Sequence, residues 1–186
     1  MNRNTKHIIL TILFGSASCL ILGMLAYGFN IFNYRDQRSV IPLFALCGSI
    51  LFSINKYLKK REQILTVILL VVGLILYQGK TIYPLIYVRN ISFLIPLYLS
   101  ILFYKYFIKK YDRFPLFLRG SSLVVSFPLL YILTLLFWIF IYAGFDKPYI
   151  YAALFHSLRY SIIIGSGLAI GFDLYEKYKE KINAFV

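Results

Sequence analysis

Apolar runs long enough to cross a lipid bilayer recur along this chain, and the segments between them are too short to fold by themselves. A spanning helix needs about 20 predominantly apolar residues to cross a hydrocarbon core of about 30 Å. Runs of this kind cover approximately residues 8–29, 40–55, 64–79, 91–108, 121–145 and 149–172. With 60% of residues hydrophobic and a mean hydropathy of +0.75, too little polar surface remains to cover a water-soluble globule. The expected fold is an all-α, polytopic transmembrane helical bundle of about six spans, forming one integral membrane domain over residues 1–186.

The fourth apolar stretch is longer than one crossing requires, and Pro84, Arg89 and Asn90 divide it. The crossing is expected at Ile91–Ile108, with Ile82–Val88 interfacial or re-entrant. Pro128 is expected to kink the fifth span. The first run, although preceded by Arg3 and Lys6, is too long for a signal-peptide core and is expected to remain as a span.

Charge sets the expected orientation. Fourteen Lys and Arg fall on the side of both termini and five on the other, with Arg159 inside a span, so both termini are expected in the cytoplasm of a cell-membrane protein. The net charge of +13 sits in short loops beside apolar runs, where it reads as a topology signal and a contact for lipid head groups. No basic reading module has room to fold, so nucleic acid is not an expected partner. Cys19 and Cys47 lie inside apolar runs and read as small buried side chains, not as a disulfide framework.

Ionisable residues inside a span are functional candidates by default. His156 and Arg159, three apart on one helix face, are expected roughly 10 and 15 Å below the outer end of the sixth span. Arg89 at the outer end of span four is the expected third member of a positively charged, anion-accepting pocket. The alternative is that Arg159 snorkels, or bonds to backbone carbonyls and to hydroxyls such as those of Ser157, Tyr160 or a tyrosine on another helix, and that His156 is a structural hydrogen-bonding residue. Small residues recur every fourth position in span one (Gly15, Cys19, Gly23) and span six (Ser161, Gly165; Gly167, Gly171), a pattern that lets helices pack closely. Tyrosines near both ends of the spans read as interfacial belts.

Constellations for embedded catalysis are missing from the sequence: no H-E-x-x-H pair, no intramembrane Asp dyad and no acidic cluster for Mg²⁺, so no metal or cofactor is expected. A Cys–His nucleophile from Cys19 or Cys47 with His156 depends on tertiary contacts. The leading expectation is a non-catalytic membrane component that binds or helps transport a small anionic or lipid-linked ligand. The alternatives are an embedded transferase or hydrolase acting on lipid phosphate, and a structural, regulatory or pore-forming subunit acting through a membrane-protein partner or as a homo-oligomer.

Overall fold

In a computed structural model, the structure describes residues 3–33, 37–77, 91–110, 116–142 and 147–184. Among these the chain is all-helical, without strands, and has six α-helices: α1 (Arg3–Tyr27), α2 (Val40–Tyr57), α3 (Lys60–Tyr77), α4 (Leu94–Lys110), α5 (Leu116–Tyr142) and α6 (Lys147–Ala184). Pro42, Pro96 and Pro148 each fall in the first turn of a helix, where a missing N–H costs nothing. Gly28, at φ +61°, takes the left-handed conformation that ends α1, and a 3-10 turn follows to Phe32.

Segments in α1 with its 3-10 turn, α2, α5 and α6 are long and apolar enough to cross a membrane. α3 opens on Lys60, Arg61 and Glu62, and α4 has 17 residues, about 26 Å, so neither meets that length and composition alone. α5 continues through Pro128 without a break in helical structure. The expected re-entrant segment, residues 82–90, lies outside the described residues, as do 78–79 of the third expected span and 143–145 of the fifth. The sixth helix differs most from expectation: it has 38 residues, about 57 Å, and runs well past Phe172. Hydropathy marks where a helix leaves hydrocarbon, whereas backbone hydrogen bonding continues wherever the next residues favour it.

Residue pairings set the directions of five of the helices. Gly167 lies against Cys19 and Gly171 against Phe14 and Gly15, so α1 and α6 are antiparallel. Gly48 faces Leu97 and Leu168, and Phe52 packs on Tyr104 and Phe172, so α2, α4 and α6 run together. Gly120 meets Asp173 and Gly165 meets the Leu123 carbonyl, which sets α5 against α6. The end at which α1 begins and α2 and α4 finish is termed the near end; the other is the far end.

α6 is the central helix, and three of its four-residue rows lead toward different neighbours. Gly167, Gly171 and Tyr175 face α1; Gly165, Ala169 and Asp173 face α5; Leu168 and Phe172 face α2. Side chains spaced by four lie on one stripe, which is why each row can present a single continuous edge. Lipid tails are as apolar as leucine, so packing of surfaces, not escape from water, holds such helices together. Small residues allow that packing: a Cβ on Gly167 would meet the Cys19 backbone and one on Gly171 the Phe14 carbonyl oxygen. α3 lies at the periphery, with Leu74 buried and Ile64, Leu65, Ile68, Leu69 and Val72 exposed.

Candidate functional site

At the far end, Tyr27 closes α1 and carries two guanidinium groups on its ring. Arg159 Cζ lies 5.7 Å from the ring centroid and Arg38 Cζ 5.4 Å. Arg159 also covers the Phe155 ring at 5.4 Å, and Tyr27 meets Tyr160 edge-on at 5.7 Å. His156 stacks beside Tyr160 at 6.3 Å, and both His156 and Arg159 are exposed on the surface of α6. Among the described residues Arg159 makes no hydrogen bond and no ion pair; its contacts are the two rings. Neither the Ser157 nor the Tyr160 hydroxyl is among these contacts.

Arg159 stands level with Tyr27, the last residue of α1, at the far end of that helix. The first turns of α6 extend beyond the end of α1. Arg89 lies outside the described residues. The structure instead brings Arg38 to Arg159, a residue that sequence reasoning had assigned only to a loop.

Cation–π contact fixes a guanidinium over a ring while leaving its N–H edge available. Arg159 thus presents at this rim a forked donor suited to phosphate or carboxylate oxygens. Around it Leu25 and Phe29, 80% and 76% exposed, and the exposed Phe155 and Tyr151 form an apolar apron. The Cys–His pairing through Cys19 does not form: Cys19 is buried against Gly167, about 16 Å of helix rise from His156. Among the described residues no group of His, Cys, Asp and Glu could hold a metal ion.

A second polar constellation occupies the near end. His7, only 5% exposed, shares a 2.6 Å hydrogen bond between its Nδ1 and the Tyr175 hydroxyl and stacks on Tyr57 with centroids 5.6 Å apart. Tyr57 donates to the Tyr175 oxygen at 3.2 Å. Around this core Lys56 pairs with Glu176, Tyr104 donates to Asp173, and Lys105 donates to the Asn55 carbonyl at 2.9 Å and to its side-chain oxygen. Four helices are tied at one level. Sequence reasoning passed over His7, yet a signal was present: the row Gly23, Cys19, Gly15 extends backward in fours to Thr11 and His7, all buried. The row Gly167, Gly171 extends forward to Tyr175, so the two rows meet.

Leaving a buried hydrogen-bonding group without its partner costs about 1–3 kcal/mol. Tyr175→Phe removes the hydroxyl shared by His7 and Tyr57 while keeping the ring, and is expected to destabilise the protein by about 1–2 kcal/mol in thermal unfolding. Tyr151→Phe, at an exposed position of the same helix, should leave the midpoint unchanged. Equal midpoints for both variants would show that the near-end network contributes nothing to stability.

In comparisons with known proteins, the chain matches no family model, no curated protein and no solved structure.

Proposed function

We propose that the protein is a non-catalytic, multi-pass component of the cell membrane whose far-end rim binds an anionic, lipid-linked ligand through Arg159, His156 and Arg38. In this reading all six helices cross, including α3 and α4, and both termini are cytoplasmic. The antiparallel packing of α1 and α5 on α6, the parallel course of α2, α4 and α6, and the grouping of Lys and Arg at the near end support that topology. Arg89 remains a proposed contributor from the loop before α4. The observation that carries the ligand reading is that Arg159 is held by aromatic rings alone, with its donors unused among the described residues. The exposed apolar apron favours a ligand with a hydrocarbon part over a free anion.

The test is thermal stability of the detergent-solubilised protein against a panel of carboxylates, inorganic phosphate and phospholipids. A ligand at 100 times its Kd should add about 2.7 kcal/mol. Wild type should be stabilised by one phospholipid, with the shift lost in Arg159→Ala and Arg38→Ala and reduced in Arg159→Lys, which keeps the charge but not the fork. Turnover of that lipid lost in His156→Ala would instead mark a transferase or hydrolase. No shift in wild type, with loss of an oligomer or complex in Arg159→Ala, would mark a structural subunit.

A further inference from the structure

The near end carries a second interaction surface, distinct from the rim of Arg159. The pairings Asn55 with Lys105, Lys56 with Glu176 and Tyr104 with Asp173 fix the registers of α2, α4 and α6 and bring the three helices to this end at one level. Within about a turn beyond that level each helix or its following loop turns basic: Lys59, Lys60 and Arg61 after α2, Lys109 and Lys110 on α4, and Lys177 and Lys179 on α6. Lys6 lies beside His7 on α1.

Among the described side chains at this level, the acids are engaged by partners on the bundle. Asp173 and Glu176 turn inward and are taken up by Tyr104 and Lys56, while Glu62 accepts the Lys59 backbone N–H at 2.8 Å and so stays against the start of α3. Lys59, Lys60, Arg61, Lys109, Lys110 and Lys177 are exposed. Exposed tyrosines accompany them: Lys110 lies over Tyr106 at 5.4 Å and Lys177 over Tyr178 at 5.8 Å. Paired tyrosine and lysine at helix ends suit the boundary between hydrocarbon and head groups.

From this arrangement we infer that the near end is a collar for anionic phospholipids, whose phosphodiester head groups are bound by Lys59, Lys60, Arg61, Lys109, Lys110 and Lys177. Distribution over several helix ends matches a leaflet that surrounds the bundle, whereas an acidic protein would call for one contiguous patch. Each basic side chain near a charged membrane surface contributes about fivefold in affinity.

The test uses the full chain in neutral detergent, titrated with mixed micelles of phosphatidylglycerol or phosphatidylcholine and followed by thermal midpoint. Phosphatidylglycerol should stabilise wild type in about 50 mM NaCl and lose most of that effect in about 500 mM, while phosphatidylcholine has little effect. The quadruple variant Lys59→Gln, Lys60→Gln, Lys109→Gln, Lys110→Gln should need at least about tenfold more phosphatidylglycerol. The corresponding quadruple Lys→Arg variant should respond as wild type. In an Arg159→Ala background, where the far-end rim is disabled, the quadruple glutamine variant should still need at least about tenfold more phosphatidylglycerol than the lysine form, which reads this surface apart from the rim. Equal effects of the two lipids, a response insensitive to salt, or a phosphatidylglycerol preference lost in Arg159→Ala but kept in the glutamine variant would overturn the collar. So would an equal shift from inorganic phosphate alone, or tighter binding of polyglutamate.

Discussion

Gly171→Leu is expected to abolish the folded bundle, with a loss of about 3 kcal/mol or more and little monodisperse protein on size exclusion. The reason is local. A Cβ at this position would meet the Phe14 carbonyl oxygen and the Gly15 Cα, which are backbone atoms and cannot rotate aside. To admit a leucine, α1 and α6 must separate along the whole row that joins Gly167 to Cys19 and Tyr175 to His7. Gly73→Leu is the matched control. Nothing lies within 4 Å of a Cβ there, and leucine favours a helix over glycine by up to about 1 kcal/mol, so that variant should be as stable as wild type or slightly more. If both variants purify alike, the close antiparallel contact of α1 with α6 is wrong.

The second large effect is expected at Phe172. Its ring is fully buried, stacks on Phe52 with centroids 4.0 Å apart, approaches Tyr104 at 5.9 Å and fills the space beside Gly15. It therefore joins α6 to α1, α2 and α4 at the level just inside the near-end polar network. Phe→Ala in a packed core costs about 3–5 kcal/mol through lost transfer energy and the cavity left behind. In a bundle solvated by lipid the transfer part is small, leaving lost packing contacts, so about 3 kcal/mol is expected for Phe172→Ala. Phe103→Ala, on the exposed face of α4, should change stability by less than about 0.5 kcal/mol. A thermal midpoint for Phe172→Ala equal to that of Phe103→Ala would show that the ring is not a packing centre.

Two sites thus stand at opposite ends of one bundle, and they were unequally legible in the sequence. Arg159 and His156 declared themselves because an ionisable residue in an apolar run is conspicuous whatever surrounds it. Arg38 did not, since an arginine in a short loop is ordinary; only the fold places it on the Tyr27 ring beside Arg159. His7 was hidden for a related reason. It sits one residue before the first apolar run, where polar residues are common, and its burial depends on Tyr57 and Tyr175 arriving from two other helices. Asp173 showed as an acid at a span edge, but its partner Tyr104 lies on α4, beyond the reach of any argument about spacing within α6.

What the sequence determined by itself is the helical, apolar character of the chain, the approximate position of most helices and the existence of small-residue rows. Hydropathy, helix period and proline placement are properties of neighbouring residues, so they can be read along the chain. Only the tertiary structure decided which rows meet, that α6 is central and outlasts the apolar run, that Arg159 stands level with the end of α1, and that Asp173 and Glu176 turn inward onto Tyr104 and Lys56. Those outcomes depend on how six helices are rotated and staggered against one another, and a rotation of one residue moves a side chain by about 100° around its helix without altering any local pattern.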